Sequence, residues 1–212
     1  MATANINVNK QNVLQLLTSG QEIPFVIPEY QRPYSWSDDE IITLFEDLWE
    51  FYIERTHSDG AKNYFLGCVV SYEENGERQI IDGQQRITSL FLLLRAVFSM
   101  LEKEDNKTDE VNNFIQKIKP ALWKENEMTG KEDRSNILLR SEVVTDSGNL
   151  ILRNILESGE ADKNAKDNYS KNYNKFKELY IQKSQSSPNQ IYHFVLALLN
   201  YSILLPITAD DQ

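Results

Sequence analysis

Apolar residues recur along this chain at spacings that switch between helical and strand-like. Val13, Leu14, Leu16 and Leu17 ahead of Gly20 predict a short amphipathic helix stopped by a glycine. The run 24–27 (Pro-Phe-Val-Ile) reads as a short strand ended by Pro28, and residues 29–36 as an aromatic loop. Ser37 and Glu40 fit a capping box. The helix they open places Ile41, Leu44, Phe45, Leu48, Trp49 and Tyr52 on one face. Residues 64–72 are rich in β-formers, Asn75-Gly76 signals a type I′ hairpin, and residues 78–81 form the return strand. Asp82-Gly83 breaks that strand. Residues 87–101 then predict a helix apolar on nearly every side, which belongs in the middle of a domain.

Past Leu101 the pattern weakens. Residues 102–110 are charged and read as a loop or an exposed helix start. Phe114, Ile115 and Ile118 predict a short helix before Pro120, and the polar stretch 125–136, with Gly130, a mobile segment. A strand is expected near 137–139, a helix over 150–156 ending near Gly159, and a solvated linker over 160–168. Tyr173, Phe176, Leu179 and Tyr180 make one further helical stripe, and Ile191, Phe194, Val195 and Leu198 another. Residues 201–207 read as a final strand. The expected class is α+β: a small mixed sheet with a buried helix over residues 8–100, then a mostly helical subdomain over 101–212.

Composition narrows the partners. Hydrophobic residues make up 41% of the 212 and charged ones 25%, an ordinary globular balance. Acidic residues outnumber basic ones 32 to 22, a net charge of −10 that argues against a general nucleic-acid coat while permitting a local basic pocket. The single cysteine, Cys68, allows no internal disulfide and reads as a small core residue. No leader pattern opens the chain, and its longest apolar stretch, residues 90–94, is far below the roughly 20 residues of a membrane span. The expectation is a soluble cytoplasmic protein without a membrane partner.

The densest chemistry lies at Asp82-Gly83-Gln84-Gln85-Arg86. A strand ends, a glycine permits a sharp turn, and a buried helix begins. Its first turn offers unpaired N–H groups and a positive dipole end, which suit an anion. Gln84 and Gln85 add amide donors, and Arg86 a fork that matches two phosphate oxygens. The bland alternative is that Asp82 caps the helix and Arg86 pairs with a carboxylate. Spacing leaves both open. No P-loop occurs. A second cluster, Gln31, Arg32, Tyr34 and Trp36, puts stacking faces and another cation just after a strand. A loop packed over the core is its alternative reading.

Four blocks in order, IPEYQRPYSW, LFEDLWE, YFLGCVV and IIDGQQRITSLFLLLRAV, resemble the signature of the GmrSD-family N-terminal domain, most strongly over residues 13–98. That resemblance implies a ParB/sulfiredoxin-like fold and a nucleotide-binding, NTP-hydrolysing domain in modification-dependent restriction, an antiviral defence of bacteria. It carries phosphate binding and turnover to Asp82, Gly83, Gln84, Gln85 and Arg86, and pocket contacts to Gln31, Arg32, Tyr34 and Trp36. It implies a nucleoside triphosphate of open identity and Mg²⁺ as cofactors, the metal ligands undetermined. Asp82 would orient a water or the metal, and Arg86 would stabilise developing charge.

Relatives continue with a Phe-x-x-x-Asn block and often a His-Asn-His nuclease domain. This sequence ends at Asp210-Asp211-Gln212. It is therefore expected to be a fragment or a truncated relative, not a nuclease on its own, reaching DNA through the full-length protein. Self-association as a homodimer is left open. His57 and His193 read as surface or packing residues. The competing reading is a ParB-like DNA-binding or protein-interaction module without catalysis.

Overall fold

In the computed structural model, which describes residues 6–58, 62–143, 148–188 and 190–209, two short strands come first, β1 (Ile6–Val8) and β2 (Gln11–Asn12). The extreme ends read above for a leader and for the close of the chain, residues 1–5 and 210–212, lie outside that description. Asn12 then caps α1 (Val13–Thr18), its side chain accepting from the Gln15 N–H while Gln15 answers to the Asn12 N–H. A single 3₁₀ turn through Gly20 leads to β3 (Phe25–Ile27). After the aromatic loop, the expected Ser37–Glu40 box opens α2 (Asp38–His57), which buries Ile41, Leu44, Phe45, Leu48, Trp49 and Tyr52.

β4 (Tyr64–Glu74) and β5 (Glu77–Asp82) form the expected hairpin, with Asn75 and Gly76 both at positive φ (53° and 77°) as a type I′ turn requires. α3 (Gln84–Glu102) follows, and every residue from Ile87 to Ser99 is buried. It is the central post of the molecule, flanked by α4 (Asp109–Leu122), then α5 (Asn149–Ser158) and α6 (Asn168–Ser186).

Three readings of the weaker half change. α4 does not stop before Pro120 but carries it in its last turn. The Gln21 amide there donates to the carbonyls of Pro120 and Trp123, serving groups that a helix end leaves unpaired. The polar stretch expected to be mobile folds as a hairpin of β6 (Trp123–Glu125) and β7 (Glu132–Ile137). Asn126 Oδ1 accepts from the N–H groups of Met128 and Thr129, Gly130 turns at φ 63°, and Arg134 grips Glu102 with two bonds. Side-chain hydrogen bonds order what periodicity could not reveal. The strand expected at 137–139 is broken at Leu138, whose N–H and C=O serve Leu122 and Phe25; β8 (Leu139–Ser141) begins after it.

α7 (Ile191–Tyr201) runs directly into β9 (Ser202–Ala209). The main sheet has the order β1-β9-β4-β5-β3-β8, with β2 also on β9. β9 lies parallel to β4, and β3 parallel to both β5 and β8, while β4–β5 and β1–β9 are antiparallel. Two strands of this mixed sheet, β8 and β9, thus come from beyond residue 101.

One buried cation ties α3 to α5. Arg95 Nε donates to the Leu156 carbonyl at 3.0 Å, and Nη1 to Ser99 Oγ at 2.6 Å. Ser99 passes its proton's hydrogen bond to Tyr173 (2.8 Å), which donates to the Gly159 carbonyl (2.7 Å). The guanidinium thus sits at the negative end of α5, over the Phe98 and Trp123 rings. Burial pulls its pKa below the usual guanidinium range.

Candidate functional site

The sharp turn between β5 and α3 is imposed by Gly83, at φ 89°, ψ 7°. A side chain there would meet the Cys68 carbonyl oxygen at 3.0 Å and Val69 Cα at 3.3 Å. Glycine is needed for conformation and for contact. It brings the start of α3 hard against the middle of β4.

Gly83, not Asp82, occupies the cap position, and no side chain caps the helix. The first N–H paired along the helix is that of Ile87, to the Gly83 carbonyl. The N–H groups of Gln84, Gln85 and Arg86 have no partner within the helix. Arg86 lies over Gly67, another positive-φ position (112°), where an added Cβ would come 2.8 Å from Nη1. The same nitrogen donates to the Cys68 carbonyl at 3.2 Å. A β4 bulge between Phe65 and Gly67 makes the room.

A cleft of about 540 Å³ opens above this turn. Arg32, Trp36, Asp82, Gly83, Gln84 and Arg86 line it, together with Gln31, Ile81 and Gln85. Among the described residues neither Arg32 nor Arg86 has a carboxylate within ion-pair reach, although acids outnumber bases in the chain. The bland reading of Arg86 as half of an ion pair is therefore not what the structure holds.

The three glutamines differ. Gln31 Nε2 donates to the Ile81 carbonyl at 2.9 Å and lies 3.3 Å from that of Ile80. Gln85 is spent on the loop: Oε1 accepts from the Ser35 N–H at 2.8 Å, and Nε2 donates to the Pro33 carbonyl at 3.1 Å. These two fasten the loop to the turn. Gln84, 7% exposed, donates to the Arg32 carbonyl at 3.4 Å, while its buried Oε1 has no partner. It is the glutamine with unused capacity.

Tyr34 is not brought to the cleft. It lies beneath it at 8% exposure, stacked on Tyr169 at 4.9 Å, with its hydroxyl between Ser89 (2.6 Å) and the Asn172 amide (2.9 Å). Asn172, fully buried on α6, also donates to the Trp36 carbonyl at 2.8 Å. This residue was missed in the sequence. A polar position inside the stripe Tyr169, Tyr173, Phe176 was its one available signal.

Burial pushes the Tyr34 hydroxyl up to about 12. The unfolded chain ionises near pH 10, so stability from keeping it neutral is complete below pH 10 and is lost as pH rises from 10 to 12. Alkaline titration of Tyr34→Phe should lose about 2–3 kcal/mol less over that interval than the wild type. Equal slopes in both proteins would remove the assignment.

A family model for the N-terminal domain of GmrSD restriction endonucleases matches residues 13–210. The chain belongs to that family. Comparison with curated proteins gives no match. This GmrSD N-terminal domain has no helix among its described residues long and apolar enough to cross a membrane. Nor do the described residues contain a group of three or more His, Cys, Asp or Glu placed to hold a metal ion. Among the described residues Asp82 is the only carboxylate lining the cleft. Cys68 is half-buried within β4 and contributes its backbone carbonyl to Arg86.

Proposed function

We propose that the cleft binds the phosphate chain of a nucleoside triphosphate, and that the domain hydrolyses it to regulate a modification-dependent restriction protein. The observation that carries this reading is the pair of guanidinium groups, Arg32 and Arg86, neither within ion-pair distance of a described carboxylate, beside an uncapped helix start. A guanidinium with no carboxylate on it is available to an anion, and phosphate oxygens match guanidinium forks. The orphaned, buried Gln84 Oε1 adds an acceptor for a water or a ligand hydroxyl.

Magnesium fits this arrangement, because it is usually held by one or two carboxylates with the substrate's phosphates as further ligands. Asp82 is the residue that would hold it. The metal would supply charge neutralisation on the phosphate oxygens. The side chains do the rest. Arg86 is positioned against β4 to stabilise charge, Arg32 reaches in from the opposite wall, and Gln84 is free to orient water. Gln31 and Gln85 keep the two walls together. The role implies a nuclease domain as partner and DNA contact through the full-length protein.

Arg32 provides the cleanest test, its side chain being exposed and without a described partner. Arg32→Ala should melt like the wild type without ligand yet bind triphosphate with Mg²⁺ at least about tenfold more weakly. At a hundredfold excess over Kd, wild type gains about 2.7 kcal/mol, or roughly 5–10 °C for a chain of this size. Arg86→Ala should lose that gain entirely. Unchanged affinity in both variants would sink the proposal.

A further inference from the structure

The cleft continues past Arg86. Trp36 and Arg86 also line a second pocket of about 350 Å³ between α2 and β4. Asp39, Thr43 and Asp47, successive turns of one face of α2, form one wall, and Phe65, 59% exposed on β4, stands among the others. We propose that this second pocket is the nucleobase subsite and that it selects guanine. The inference rests on the phosphate reading of the adjoining cleft.

Charge divides the two compartments. Arg86 borders both, but Arg32 and the start of α3 draw phosphates to one side, while the carboxylates of Asp39 and Asp47 repel them from the other. A nucleotide spanning both has one favourable orientation, with its base against α2. Trp36 and Phe65 supply aromatic surface for an uncharged ring. Such an occupant explains why a large apolar side chain stands exposed beside three polar ones.

The polar lining decides among bases. An ionised carboxylate only accepts hydrogen bonds. Guanine presents two adjacent donors, N1–H and the N2 amino group, which one carboxylate takes side by side. Uracil presents a single N–H between two carbonyl oxygens that a carboxylate repels. Adenine and cytosine each set their amino group beside a ring nitrogen that is an acceptor. Asp47 is the better-prepared receptor, since the Tyr64 hydroxyl donates to its Oδ2 at 3.0 Å and fixes its orientation while leaving lone pairs free. Glu40 is turned instead to Ser37.

The experiment measures equilibrium binding of GTP, ATP, CTP, UTP and inorganic tripolyphosphate, each with Mg²⁺, to the whole chain and to Asp47→Asn and Phe65→Ala. Both side chains are exposed, so the variants are expected to fold, as circular dichroism would check. GTP should bind at least about tenfold more tightly than UTP, the discrimination typical of a bidentate pair. Asp47→Asn should erase that ratio without weakening tripolyphosphate, and Phe65→Ala should weaken every nucleotide but not tripolyphosphate. Tripolyphosphate binding with no preference among the four bases, or a GTP preference that survives Asp47→Asn, would overturn the guanine subsite and leave the phosphate cleft standing. Failure of tripolyphosphate and all four nucleotides to bind would overturn both.

Discussion

Gly83→Ala is expected to destabilise the protein by about 2–4 kcal/mol and to abolish the proposed nucleotide binding. Part of the cost is conformational, because alanine at φ 89° is strained. The larger part is contact. The new Cβ would press on the Cys68 carbonyl and Val69 Cα, which are backbone atoms of a strand paired on both edges by β5 and β9. Such a strand cannot retreat, so the head of α3 must. Arg86 would then leave its seat on Gly67, and the N–H groups of the first turn would shift with it. Gly76→Ala is the matched control: its φ is 77°, but nothing lies within 4 Å of the added atom, so only about 1 kcal/mol is expected. Thermal melts compare the two, at roughly 2–4 °C per kcal/mol for a chain of this length. Equal losses would mean that the close approach of α3 to β4 contributes nothing.

Arg95→Ala should cost about 3–5 kcal/mol, the largest effect expected outside the cleft. The side chain is 1% exposed, and its removal leaves a void bounded by Phe98, Trp123 and the end of α5. The lost hydrogen bonds matter less than the void. The Leu156 carbonyl keeps the Trp123 indole N–H at 3.0 Å, and Ser99 keeps Tyr173. Arg95→Met refills most of that volume without a buried charge and should cost less than half as much. Urea midpoints would decide. If methionine proves as harmful as alanine, the guanidinium's hydrogen bonds dominate and the packing argument fails.

The sequence made the first half of this molecule readable because each signal there is local. The Ser37–Glu40 box, the Asn75-Gly76 turn and the apolar run of α3 all act within a few residues of themselves. The β6–β7 hairpin was misread because its order comes from Asn126 gathering N–H groups and from Arg134 reaching Glu102, 32 residues away. The cleft was legible as a set of residue types but not as a division of labour. Nothing in the string Gln84-Gln85 says that one amide is tied to the loop backbone and the other left half unsatisfied. Tyr34 likewise looks like its neighbours Arg32 and Trp36, yet it is turned inward, where Ser89 and Asn172 hold its hydroxyl. Asn172 enters from 138 positions further on, so loop and helix specify each other only in three dimensions.

The placement of β9 between β1 and β4 also sets an order of events in synthesis. β4 carries Gly67 and Cys68, the bed on which Arg86 rests, yet its outer edge is closed only when residues 202–209 leave the ribosome. Until then about 130 residues must be held without completing the sheet, and a long parallel pairing of this kind is slow to form. The nascent chain presents an open strand edge throughout that interval, a template for pairing with other chains. The cleft between Arg32 and Arg86 should therefore be among the last features to mature.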